Sequence, residues 1–181
     1  MATWNFDKTH TNISFSTRHM MVTTVRGNFA GFDGTLEFDP ANLAASSVDV
    51  TIDAASINTN VADRDNHLKS PDFFDVATYP TITFKSTGVQ LTGEKTGKIT
   101  GDLTIRDVTK SVVLDAEFLG TGTNPWGAQV AGFTASTKIN REDFGLTWNV
   151  GLEAGGVLVS KDIKIELDVE AVLAQQPEAS A

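Results

Sequence analysis

The 181-residue chain contains no cysteine, one tyrosine and three histidines, and its 14 basic residues are outnumbered by 23 acidic ones. Without cysteine, no disulfide staples the fold and no thiolate serves as nucleophile or metal ligand. His10, His19 and His67 fall at no metal-ligand spacing. Asp63 and His67 share an i,i+4 spacing with Asp65 nearby, but a metal would need further ligands from elsewhere, and a helix carrying solvated charges is the simpler reading. No metal is expected. No apolar run approaches the ~20 residues of a membrane-spanning helix. The start, Met1-Ala2-Thr3-Trp4-Asn5-Phe6-Asp7, lacks the basic and apolar regions of a secretory signal. It predicts a cytoplasmic protein if Met1 is the native start, and a periplasmic one if a leader was removed. A net charge of −9 repels nucleic acid and anionic headgroups at long range. No nucleic-acid partner is expected, and any transient membrane contact must run through a local patch.

Catalytic motifs are scarce as well. Neither G-x-S-x-G nor H-E-x-x-H occurs. Gly93-Glu94-Lys95-Thr96-Gly97-Lys98 lacks one spacer of a phosphate loop, and Ile99 replaces its hydroxyl residue, so the segment suits a hairpin turn. Glu142-Asp143 pairs two carboxylates, but nothing marks one as acid and the other as base. The sequence predicts no catalytic residue and no cofactor. An enzyme acting on a lipid-like substrate remains an alternative only through residues converging from distant loops.

What the chain does have is alternation with a period of two. Ile163, Ile165, Leu167, Val169 and Ala171 oppose Lys164, Glu166, Asp168 and Glu170. Val48, Val50, Ile52 and Ala54 form a second stripe, and Val112, Leu114, Ala116 and Phe118 a third. Ile82 and Phe84 start another that changes phase at Gly88. Ile99, Gly101, Leu103 and Ile105 follow, then Phe133, Ala135, Thr137 and Ile139. Trp4 with Phe6 and Ile13 with Phe15 predict short strands around Lys8-Thr9-His10. Phe32 to Phe38 continues the pattern, with Phe29 out of phase and a bulge expected near Gly31. About eight strands result, the number at which a barrel is filled by side chains or holds one small ligand. The fold predicted is all-β: one eight-stranded antiparallel barrel over residues 1–174, with one or two short helical elements and a disordered tail over 175–181.

Two stretches break the rhythm. Asn60–Lys69 predicts a helix, with Asn60 as N-cap and Pro71 as the stop; Phe73-Phe74 follows. Asn140 to Gly156 carries Phe144, Trp148 and several glycines, Gly155 among them. Both are expected at a barrel end as lids or plugs. Eleven phenylalanines against the single Tyr79 suit a dry interior, since a buried tyrosine needs a partner for its hydroxyl. Composition alone serves a filled core, as in an interaction module, and a ligand cavity equally well.

Four phrases together resemble the YceI-like family of polyisoprenoid-binding, lipocalin-like proteins. They are Phe15-Ser16-Thr17-Arg18-His19-Met20-Met21, running to Val25-Arg26-Gly27-Asn28-Phe29; Arg64-Asp65-Asn66-His67-Leu68-Lys69-Ser70-Pro71-Asp72-Phe73-Phe74-Asp75-Val76; Gly101 to Lys110; and Ile139 to Asn149. The resemblance spans Trp4 to about Val172. It implies a lipocalin-like barrel holding an isoprenoid, an isoprenoid quinone or another long-chain amphiphilic lipid. On that reading Phe15, Ile82, Phe84, Leu103, Leu114, Phe118 and Phe133 line the interior, and Phe73, Phe74, Phe144 and Trp148 cap or flank it. An anionic headgroup would be met by Arg18, His19, Arg26, His67 or Arg141. The oligomeric state is not encoded legibly.

Overall fold

Apolar alternation becomes a closed barrel once each stripe is turned inward. The computed structural model describes residues 1–153 and 156–175. Eleven strands form one antiparallel sheet: β1 (Ala2–Phe6), β2 (Asn12–His19), β3 (Thr23–Phe29), β4 (Phe32–Phe38), β5 (Ser47–Asp53), β6 (Ile57–Asn58), β7 (Thr81–Leu91), β8 (Thr96–Ile105), β9 (Val108–Thr123), β10 (Gln129–Asn140) and β11 (Asp162–Leu173). They occupy eight positions. β11 pairs with β1 through Ala171–Leu173 and with β2 through Lys164–Asp168, so β1 and β2 lie end to end in one position. β3 with β4, and β5 with β6, are two further strand positions, each interrupted once. Pairing from β1 through β4, β5, β7, β8, β9, β10 and β11 returns to β1. The barrel is closed, with the eight positions expected, and closure leaves few strand edges to recruit other chains.

The interruption at Ala30-Gly31 is a break between two pairings rather than the expected bulge. β3 pairs β2 and β6, β4 pairs β1 and β5, and the Gly31 carbonyl accepts from the Asp53 N–H. The phase change in β7 is a register shift between Ser86 and Gly88. Gly101 faces inward where a Cβ would strike the Phe84 ring, so the small residue is what lets that ring lie across the wall.

Strand directions place the connections at two ends. The hairpin end carries the 3-10 turn Leu43–Ala45 and the β7–β8 and β9–β10 turns. The helical end carries the β2–β3 and β8–β9 turns, helix α1 (Ala62–Lys69), the 3-10 turn Arg141–Phe144 and the segment leading into β11. Helix α1 begins two residues later than expected. Asn60 adopts a left-handed backbone (φ 64°) and does not cap. Instead Asp65 reaches back to accept from the Thr59 N–H and hydroxyl at 2.8 and 2.5 Å, which fixes the helix entry from inside its own first turn. Of the expected tail, Gln175 is described and residues 176–181 lie outside the described residues, as does Gly155.

Candidate functional site: the barrel interior

A cavity of about 280 Å³ runs along the barrel interior. The inward stripes build it: Phe15 from β2, Ile82 and Phe84 from β7, Leu103 from β8, Leu114 and Phe118 from β9 and Phe133 from β10 all line it. From β11 it touches Ile163, Ile165, Leu167 and Val169, a span of roughly 20 Å at about 3.3 Å rise per residue. So small a volume over that length describes a narrow channel.

Aromatic side chains shape both ends of this channel. Towards the hairpin end Phe38 is 1% exposed. It meets Phe118, Phe133 and Trp4 edge-on, with ring centroids 5.2, 5.1 and 5.6 Å away. Edge-to-face contacts of this kind add to the stability gained from burial alone. Phe38 was visible in the sequence only as the last member of an alternating stripe, and nothing there distinguished it as the hub. Towards the helical end, Phe73, Phe74 and Phe144 line the cavity, and Phe74 meets Phe29 edge-on at 6.0 Å. Trp148 does not line it; the indole stacks behind, against Phe73 and His67.

The five cationic residues named from the sequence separate sharply. Arg141 alone lines the cavity. It is 3% exposed, and burial pushes the guanidinium pKa down from its ordinary value. Its three nitrogens donate to the carbonyls of Ser160 (2.9 Å), Leu146 (2.7 Å) and Val159 (3.3 Å), and the cation lies over the Phe73 ring. These bonds tie the 3-10 turn that follows β10 to the segment before β11. His67 faces away from the cavity: its Nε2 is 2.8 Å from Asp72 and its ring lies edge-on to Phe73 and Trp148. Arg18 and Arg26 are exposed on the outer wall, and His19 bridges by its backbone to Val159. The other charged side chains on the lining are Lys95 and Glu117, at the hairpin end.

A histidine and two carboxylates also gather on the outer wall, a grouping the sequence did not reveal because one carboxylate, Glu170, is 160 residues from His10 in the chain. Asp7, His10 and Glu170 place ligand-type atoms within 4.8 Å of one another. His10 Nδ1 is 2.8 Å from Asp7. Bonds from His10 and Thr9 lower the Asp7 pKa to about 2, and the same carboxylate, with Glu170, raises that of His10. The arrangement is an ion pair joining the β1–β2 loop to β11.

With the geometry described, comparison with known proteins is informative. The YceI-like domain matches residues 4–171. The chain belongs to the YceI-like family. A UPF0312 protein of Vibrio cholerae is 45% identical over 163 residues, covering 90% of this chain and 82% of that protein. Among solved structures, the Campylobacter jejuni YCEI protein matches this YceI-like barrel with a TM-score of 0.76 at 37% identity, over 87% of this chain and 90% of that one. A polyisoprenoid binding domain from Saccharophagus degradans shares the fold at TM-score 0.68 and 14% identity, covering 96% and 100% of the two chains.

Proposed function

We propose that this YceI-like barrel binds one long-chain amphiphilic lipid of the isoprenoid type in its interior and carries or sequesters it. The observation that carries this reading is the narrow apolar channel lined from β2, β7, β8, β9, β10 and β11. Its volume of about 280 Å³ falls just below the roughly 300–1,000 Å³ of ligand sites, and spread along the barrel it suits a single slender chain better than a fused-ring lipid. The polyisoprenoid binding domain with the same fold points to the same ligand class. A binding role is favoured over catalysis because the charged side chains on the lining lie at opposite ends, Arg141 at one and Lys95 and Glu117 at the other, with only apolar and hydroxyl groups between.

Dry surface is nearly all that such a ligand requires. Each buried CH₂ contributes about 0.8 kcal/mol before ordering costs. Some fifteen such units, about what a channel of roughly 20 Å holds in extended form, give a gross term of about 12 kcal/mol, from which the ordering costs subtract. Organic extraction and mass spectrometry of the purified protein tests the proposal, with a stoichiometric isoprenoid-type lipid as the expected result. Phe118→Asp, which places a carboxylate on the channel wall, and Ala116→Phe, which fills the channel without adding charge, should each lower lipid content at least tenfold, about 1.4 kcal/mol or more of lost affinity. Folded variants that retain the wild-type lipid content would overturn it.

A further inference from the structure

The β2–β3 turn breaks two rules at once. The Val22 N–H closes it onto the His19 carbonyl, and its two central residues, Met20 and Met21, are both left-handed at φ 50° and 62°. Asn-Gly is the usual sequence for consecutive left-handed residues in a hairpin, because a side chain beyond Cβ strains them. This turn carries two methionines instead. The three residues are also 47%, 64% and 73% exposed, so they gain little from packing. A strained backbone that displays apolar side chains to water points to a use outside the fold.

The surroundings say what the turn meets. On the outer wall beside it, Lys164 and Arg26 both pair with Ser16, and Arg18 lies two pairings nearer the turn. Arg18 and Arg26 have no ion pair among the described residues, whereas Lys164 is held by Glu166 at 2.7 Å, so the two arginines carry the free positive charge of this flank. Val150, 46% exposed, lies on the adjoining segment, whose Leu158 carbonyl accepts from the Met20 N–H and whose Val159 lines the channel. Acidic side chains occur at both ends, Glu37, Asp49 and Glu117 by strand register at the hairpin end and Asp72, Asp143 and Asp162 at the helical end, so what separates the two is the apolar tip; the hairpin end offers one exposed aromatic, Trp126. Apolar tip and basic flank together match the chemistry of an anionic lipid bilayer, with methionine and valine entering the acyl boundary and arginine meeting the headgroups.

We propose that Met20, Met21 and Val22 form a docking tip for anionic membranes, flanked by Arg18, Arg26 and Lys164, so that the barrel meets the bilayer with its helical end. This rests on the lipid-binding reading for its purpose, since the tip is stitched to the segment that closes the channel. The test is co-sedimentation of the full-length protein with vesicles of phosphatidylglycerol and phosphatidylcholine, and with phosphatidylcholine alone. Binding to the anionic vesicles should be at least about tenfold stronger and should weaken with salt. Met20→Asn combined with Met21→Gly installs the relaxed turn sequence. It should raise the melting temperature while lowering vesicle binding about tenfold or more, a pairing that a purely structural turn would not give. Trp126→Ala should bind as wild type. Docking is overturned if wild-type protein ignores anionic vesicles, or if the Asn-Gly variant binds them unchanged. Extraction distinguishes the two readings: lipid-loaded protein that ignores vesicles overturns the docking alone, and lipid-free protein that sediments supports the docking and removes the cargo.

Discussion

The two ends of the barrel solve the same problem, closing an apolar channel, with different materials. At the helical end the closure is made by loops. Phe73, Phe144 and Leu146 are 5%, 2% and 4% exposed, and Arg141 binds the surrounding carbonyls so that irregular backbone stays paired while buried. At the hairpin end the closure comes from the strands themselves, through Phe38, Phe118 and Phe133 pointing inward, and the turns beyond remain wet. Trp126, at the tip of one of them, is 85% exposed. The difference teaches where movement is least costly. A strand-borne plug shifts only if the sheet shifts, whereas a loop-borne plug opens by local rearrangement of a segment held by a few identifiable bonds.

Substitutions at the ends break this contrast most directly. Phe144→Ala leaves a void under the helical cap and should cost about 3–5 kcal/mol of unfolding free energy. Trp126→Ala at the hairpin end should stay within about 0.5 kcal/mol. Chemical denaturation of both variants checks the pair. Next in size, Arg141→Met keeps an apolar stem but leaves the carbonyls of Leu146 and Ser160 without their donor and that of Val159 with the Asn149 side chain alone. A loss of about 2–4 kcal/mol is expected, with faster amide exchange confined to the 145–160 region. Equal acceleration at the hairpin end would erase the distinction between the two closures.

The smallest effect concerns the wall between the ends. The Asp7–His10 pair stabilises by two opposite titrations. The Asp7 carboxyl, lowered to about 2 from 3.8, contributes above its unfolded value and loses that contribution as pH falls towards 2. His10, raised from 6.5, contributes below that value and loses it as pH rises through its folded one. The pair therefore acts most strongly between about pH 4 and 6.5. His10→Ala should lower the melting temperature slightly at pH 5.5 and less at pH 9, without altering lipid content at either.

Much of this architecture was readable from residue order, for reasons that also explain what was not. Alternation reports which face of a strand meets the core, and Phe84, Leu103, Leu114 and Phe133, all on apolar stripes, line the cavity. It does not report pairing, and the sharing of one barrel position by β1 and β2 depends on which part of β11 each meets. Charged residues were the least legible. Arg141 and His67 both belong to the helical end, yet one borders the channel and the other turns to Asp72. Tertiary contacts with the segment before β11 and with Trp148 decide this, and neither is local. The helix start differs for a related reason: Asn60 is a plausible cap by type, but its backbone turns left-handed and Asp65 instead folds back onto Thr59, fixing the chain before the helix without capping it.

The pairing of the first strands with the last bears on how the chain reaches this state. Thr11 and Glu170 exchange hydrogen bonds across 159 residues of sequence, and the seam between β1 and β11 closes only when both strands exist. During synthesis β1, β2 and the growing sheet wait with unpaired edges until the final strand leaves the ribosome. Contacts of such sequence separation slow folding and prolong the interval in which open edges and apolar faces are exposed to other chains. For this barrel the vulnerable moment is thus the time before its last twelve-residue strand arrives, and truncation within β11 should be read out as aggregation rather than as a partially loaded carrier.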